Sequence, residues 1–464
     1  MSTRNTHYGS EAIDHMMTNC RRVFFIGIGG VNMSSLAHIT HLRGYEVSGS
    51  DRTGTDVTER LEKEGITVFY THDASHIENC DIVVYTVAIS ESNPEYVRAL
   101  ERGIPCISRA DYLGYLMTGY ERRIGICGMH GKSTTTSMCA NVFMDAGADP
   151  TVLSGASMRS MGGAYRVGGE KFFVFEACEY MDSFLDFYPT IAVILNIEMD
   201  HVDYFKSMEQ IQTSFRKFAE KTLPSGCVIV NGDDENIHAA LQGFEGKSLR
   251  FSVRDPRADF YAADIVFSHG RPQFTVMAFG KPFCHVALSV PGFHNVRNSL
   301  ATAAAAWLCG ICGEDVGRGL SSFCGAERRM EYKGKFRDAD VYDDYGHHPT
   351  EVKTTLEGVA RMGYKRVFCV FQPHTYSRTA GLFAEFCGAF GAADEVIFAD
   401  IYAAREPDTG IVSAEKLALA LPNGKYVGDN DAIAEYLGKI LEKDDVLVVM
   451  GAGDIYRLYP KLGL

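Results

Sequence analysis

Three times in this chain a short run of β-branched and aromatic residues ends in a turn and opens at once into a helical pattern. That repetition points to parallel α/β sheets, because parallel strands need long helical crossovers between them. In the first instance the run 23–26 (Val-Phe-Phe-Ile) is followed by Gly27-Ile28-Gly29-Gly30 and a helix to about residue 43. Strand-like runs follow at 45–47, 82–85 and 104–107, with a helix from about Pro94. The second instance opens near Glu121, with the run 124–127, a glycine loop and a helix to about Ala146, then runs at 172–175, 192–195 and 228–230. The third opens near Glu327, with a strand near Val341, a helix from Pro349, runs at 367–371 and near Val396, and the apolar run 446–450.

A chain of 464 residues is too long for one hydrophobic core, so each instance reads as a domain. Residues 1–120 read as a Rossmann-like unit and 121–326 as a P-loop mononucleotide-binding α/β unit. Residues 327–464 read as a second Rossmann-like unit. Between Leu249 and Val290 the texture changes to short strands without helices, which predicts a small antiparallel sheet or β-rich insertion in the central unit.

The formal net charge of -14 argues against nucleic acid or an anionic membrane as partner. The first twenty residues lack the apolar core of a signal peptide, and the longest apolar stretch, 300–312, is too short to span a bilayer. Thirteen cysteines scattered singly suit small buried hydrophobes in a reducing cytoplasm. Cytoplasmic localisation is expected, and monomer and homodimer both stay open.

Gly128-Met129-His130-Gly131-Lys132-Ser133-Thr134 lies between a strand and a helix. Glycines there let backbone N–H groups face phosphate oxygens, the helix N-terminus adds positive potential, and Lys132 neutralises the terminal phosphates. The spacing is GxxGK[ST], shorter than the full Walker pattern. Glu176 and His201 follow the ends of neighbouring strands, where ligands of a parallel sheet gather. With the Ser133 hydroxyl they make a plausible Mg²⁺ set. The amino-terminal loop, with Gly27, Gly29, Gly30 and Asn32, approaches GxGxxG except that Asn32 replaces the third glycine. Ser50 and Asp51 end the next strand, where a ribose-binding acid belongs. A nicotinamide dinucleotide and a uridine nucleotide fit this loop equally well, so an oxidoreductase stays open on these residues alone.

Several segments together resemble the Mur ligase family. Gly128 to Thr134, Asn196 with Asp200-His201, Pro291-Gly292-Phe293-His294-Asn295 and Arg328-Arg329 are similar to motifs that its members share. GIGGVNMSS from Gly27, DDYGHHPTE from Asp343, FQPHTYSRT from Phe371 and MGAGDI from Met450 resemble the member that joins L-alanine to UDP-N-acetylmuramate. The resemblance implies that the first unit binds the UDP-sugar and the second ATP with Mg²⁺, while the third closes over both. It implies ATP contacts at Asn295 and Arg329 and a ribose contact at Asp343 or Asp344. It also places His347, His348 and Arg378 near the substrate carboxyl or the amino acid. The family's Thr-His-Gly-Lys-Thr is here Met129 to Ser133, and its arginine after the histidine of FQPH is Thr375. A ligase that recycles peptides onto the same UDP-sugar is the near alternative.

The chemistry implied is transfer of the ATP γ-phosphoryl group to a carboxylate, followed by amine attack on the acyl-phosphate. Lys132 and two Mg²⁺ would spread the charge of the first step; His201, His347 and His348 are the bases the sequence offers for the second, with one of the last two or a metal-bound oxygen favoured.

Overall fold

The computed structural model describes residues 5–201, 204–404, 406–408 and 410–464. It contains three sheets, each built around the kind of strand the sequence announces. The first has five parallel strands in the order Thr67–Phe69, Glu46–Ser50, Arg22–Ile26, Ile82–Tyr85, Cys106–Ser108. Strands Arg22–Ile26 and Ile82–Tyr85 are apolar almost throughout, because helices cover both faces of a parallel sheet.

The central sheet has ten strands. Arg122–Cys127 lies inside it between Ile191–Ile194 and Phe172–Glu176, all parallel. The expected β-rich insertion is not a separate sheet. Lys247–Ser252 pairs in parallel with Cys227–Asn231, and Phe260–Ser268 joins it in parallel at Phe251↔Phe260. Arg271–Ala278 and Lys281–Ala287 then close the edge as antiparallel hairpins. These strands alternate in burial because only one face is covered, by the alanine-rich helix His294–Leu308 and the helix Gly313–Ser321. The hairpin Thr151–Met158 and Gly163–Arg166 at the other edge, with its glycines and serines, carries no strand pattern in the sequence.

The third sheet runs Glu331–Phe336, Ala339–Asp344, Val446–Met450, Val367–Phe371, Glu395–Ala399, Gly424–Gly428, with only the first pair antiparallel. The apolar run 446–450 is thus an inner strand, fully buried. No described helix is long and apolar enough to cross a membrane. All thirteen cysteines are free thiols.

The first and central units share one core. Phe25, Leu36 and Tyr112 belong to the same buried cluster as Phe173, Phe175, Phe184 and Phe215. The helix Arg109–Met117 meets the turn at 180–186 so closely that a Cβ on Gly114 would lie 2.1 Å from the Asp186 carbonyl oxygen. The third unit has cores of its own and meets the central unit through polar side chains. Phe184 is fully buried, stacked on Phe218 at 4.6 Å. Phe184→Ala should therefore destabilise the first and central units together by about 3–5 kcal/mol and leave the third nearly unchanged. Denaturant unfolding read by hydrogen exchange in each unit checks this.

Candidate active site

The loop after Arg122–Cys127 turns on two glycines, Gly128 at φ +137° and Gly131 at φ +85°. A Cβ on Gly128 would sit 3.0 Å from Leu195 Cβ and 3.1 Å from the Asn196 nitrogen, so the loop presses on the neighbouring strand end. Asn196 clamps it there. Its side-chain oxygen accepts from the His130 N–H (2.8 Å), and its amide donates to the His130 carbonyl (2.9 Å). Met129 is buried beneath the loop, while Thr134 lines the cleft above it.

Lys132 folds back over its own loop, donating to the Gly128 carbonyl (2.6 Å) and to Glu179 Oε1 (3.0 Å). Burial disfavours its charge, but Glu179, Cys178 and Glu176 outweigh burial and move its pKa up. Ser133 Oγ donates to Glu176 Oε2 (2.8 Å), which also accepts from the Gly155 N–H (2.9 Å). His201 Nε2 lies 3.2 Å from Glu179 Oε1. The structure thus joins Lys132 and His201 through Glu179, a carboxylate that sequence reasoning missed, while the adjacent Ser133 is held separately by Glu176. Glu179 is fully buried, and its one signal was a second acid three residues after Glu176. The Ser133 hydroxyl, the Glu176 carboxylate and the His201 imidazole near Lys132 are ligand types that a divalent cation accepts.

In the first sheet Gly27, at φ +83°, donates its N–H to the Ser50 carbonyl (2.8 Å). The Gly29 N–H donates to Asp51 Oδ2 (2.9 Å). A Cβ on Gly29 would lie 2.8 Å from that oxygen, so a glycine is needed there. Gly30 caps the helix Val31–Leu42, whose first turn exposes Asn32. Ser50 departs from expectation. Its hydroxyl is buried and donates to Glu95 Oε2 (2.7 Å), a fully buried carboxylate that also meets His72 and His76. It is turned inward because Glu95, cut off from water, needs donors.

Between the central and third units lies an open cleft with about 1150 Å³ of empty space, reaching from the phosphate loop to Asn231, Phe251 and Asn295. Arg329 and Asp344 line it from the third unit. Asp343, on the alternate face of its strand, points away and pairs with Arg328 at 3.5 Å, so of the two ribose candidates only Asp344 reaches the cleft. Burial pushes the Asp344 carboxyl up to about 6, against the pull of Arg329.

The two units also meet over the phosphate loop. His130 lies 3.5 Å from Glu198 and 3.3 Å from Glu351 of the third unit, charge contacts rather than well-aligned hydrogen bonds. Thr350 Oγ1 donates to Glu198 (2.7 Å), and Arg378 pairs with Asp200 at 3.3 Å. Glu198 and Glu351 escaped sequence reasoning, although Glu351 occupies the third helical position after His348, where an acid accepts the cap N–H.

Hydrogen-bond partners set the imidazole tautomers. His348 Nδ1 accepts from the Thr350 N–H (3.3 Å) and His374 Nδ1 accepts from Arg378 (3.1 Å), so each neutral ring carries its proton on Nε2. His347 Nδ1 donates to the Tyr345 carbonyl (3.0 Å), which leaves a lone pair on Nε2. Burial, with Arg378 and His374, lowers the His347 pKa to about 3 against the opposing pull of Glu351. His348 and His374 are therefore donors and His347 an acceptor.

Burial lowers the pKa of His130, but Glu198 and Glu351 prevail and raise it to about 9. The stability this provides is complete below the unfolded value near 6.5 and is lost as pH rises through 9. The melting temperature should fall between pH 6.5 and 9, and His130→Gln should flatten that fall, as a calorimetric pH series checks.

Family models match nearly the whole chain: a Mur ligase family catalytic domain at 22–121, a Mur ligase middle domain at 126–306 and a Mur ligase glutamate ligase domain at 328–453. A UDP-N-acetylmuramate–L-alanine ligase of Caldanaerobacter subterraneus is 45% identical over 95% of this chain and 97% of its own. The protein so named from Clostridium novyi is 43% identical over 96% and 98%. Among solved structures, a UDP-N-acetylmuramate-alanine ligase of Thermotoga maritima superposes with a TM-score of 0.78 at 28% identity, covering 95% of this chain and 98% of its own. A murein peptide ligase of Psychrobacter arcticus gives 0.70 at 25% identity, covering 96% and 99%.

Proposed function

The chain belongs to the Mur ligase family, and from that premise we propose how its three units divide the work of an ATP-dependent amide-forming ligase. The reaction joins L-alanine to the carboxylate of UDP-N-acetylmuramate, a cytoplasmic step of peptidoglycan synthesis. The nicotinamide reading of the first loop is set aside with the family. The observation that carries the mechanism is the convergence of Lys132, Ser133, Glu176, Glu179 and His201 on one loop, facing the histidines of another unit.

Residues 1–120 take the UDP-sugar through the backbone of Gly27, Gly29, Gly30 and Asn32, with Asp51 bracing the loop. Residues 121–326 take ATP on Gly128 to Thr134 and Asn295, and residues 327–464 add Arg329 and Asp344. Ser133, Glu176 and His201 would hold Mg²⁺, which would supply charge neutralisation to phosphoryl transfer. Lys132 exchanges Glu179 for the γ-phosphate. A sugar carboxylate oxygen then bonds to phosphorus as the bond to ADP breaks. Arg378, with Asp200 as its one acidic partner among the described residues, receives a carboxylate.

The amine of L-alanine next attacks the acyl carbon, and phosphate leaves. His347 Nε2 accepts a hydrogen bond, and then the proton, from the incoming ammonium, being the acceptor among the three histidines of the third unit. Binding of a substrate carboxylate at Arg378 removes part of the charge that depresses its pKa. His348 Nε2–H, buried without a hydrogen-bond partner among the described residues, is available to donate to a substrate oxygen instead.

Phosphate release from ATP is the test. It should require UDP-N-acetylmuramate and L-alanine together and fall at least about 10²–10³-fold in Lys132→Ala. Release with a tripeptide in place of L-alanine would move the assignment to the peptide-recycling ligase. His347→Ala should lose about 10²–10³-fold in rate at pH 7 and recover part of it as pH rises toward the ammonium pKa. A loss independent of pH would remove His347 from proton transfer. Both are read from initial rates across pH 6.5–9.5.

A further inference from the structure

We propose that Arg297 is a recognition residue for the purine nucleoside of the phosphoryl donor; this rests on the ATP-ligase reading above. Arg297 stands on the helix His294–Leu308 between Asn295 and Asn298, and all three line the nucleotide cleft. It also lines a smaller cavity behind, with Phe267, Phe293 and Thr354, so its side chain forms the wall between the two. Its Nε is buried without a hydrogen-bond partner. No ion pair to it occurs among the described residues.

The carboxylates around it are engaged elsewhere. Asp233 accepts from Ser252 Oγ (2.5 Å) and the Val253 N–H (2.9 Å). Asp234 accepts from the N–H groups of Ile237 (3.0 Å) and Ile197 (3.2 Å). Glu198 holds Thr350 and His130. A half-buried guanidinium with an orphaned donor, beside committed acids, is a group that a ligand completes.

Its place along the sheet says which part of the ligand. The phosphate loop follows Arg122–Cys127, whereas Asp233 and Asp234 beside Arg297 follow Cys227–Asn231, two strands over in the order 122–127, 191–194, 227–231, 247–252. At about 4.8 Å per strand, those two acids stand about 10 Å along the sheet from the phosphate cradle, so the guanidinium beside them is on the nucleoside side of the cleft. A planar guanidinium there stacks on a purine face and donates to ring nitrogen or ribose oxygen, which a lysine does not reproduce.

The test is direct binding of ADP and of inorganic triphosphate to the full chain by calorimetry, for wild type, Arg297→Leu and Arg297→Lys. Expected are a tenfold or greater loss of ADP affinity in both variants and unchanged triphosphate affinity. In turnover, KM for ATP should rise while kcat and the KM of L-alanine hold. Equal losses for ADP and triphosphate would make Arg297 a phosphate contact and overturn the proposal, as would full ADP affinity in either variant. Failure of wild type to bind ADP would instead overturn the ATP-ligase reading itself. Should Arg297→Leu not fold, Arg297→Lys, which keeps charge and length but loses the fork, carries the test alone.

Discussion

A largely buried lysine at the start of a helix is costly unless its charge is answered, and the arrangement of this active site follows from how Lys132 is answered. The Gly128 carbonyl and Glu179 hold it over the loop, and Glu179 in turn holds His201. Ser133, next in the chain, is held by Glu176. Lys132 and His201 thus share one carboxylate in a region of low dielectric, so a change at either is felt by the other, while the Ser133–Glu176 pair stands apart.

The same economy of acids governs the contact between units. The first and central units are one packed body, so the geometry between their two glycine loops is held by hydrophobic burial. The third unit is held by ions instead: His130 between Glu198 and Glu351, Arg378 on Asp200. Ion pairs of this kind are directional and exchangeable with ligand charges, whereas apolar cores are neither. The third unit is thus attached to the central one through interactions that charged ligands can replace. The histidines of the third unit serve this division, because helix-capping and backbone contacts set which nitrogen each presents.

Much of this was legible in the residues. The glycine loops at 27–30 and 128–131, the strand runs 82–85, 367–371 and 446–450 and the helix starts at Pro94 and Pro349 all stand where the local pattern puts them. Each is decided by neighbours within a few positions: glycine at positive φ, proline at a helix start, β-branched runs between helices. The Thr151–Arg166 hairpin was not legible, because its glycines and serines carry no periodicity. The outer strands of the central sheet were legible as strands but not as part of that sheet, since pairing of 251 with 260 leaves no trace in composition.

The division for the site is the same. The amino-acid sequence by itself determined the family and the glycine loop that leads into Lys132, because these depend on motifs whose members are adjacent or nearly so. The tertiary structure alone decided that Glu179 answers Lys132, that Glu351 reaches His130, that Asp344 and not Asp343 faces the cleft, that Ser50 turns inward, and which histidine keeps a lone pair. Every one of these is a question of which side chain meets which across distant segments in a site shielded from water. Sequence distance carries no information about that, and the electrostatics of burial make the answer decisive.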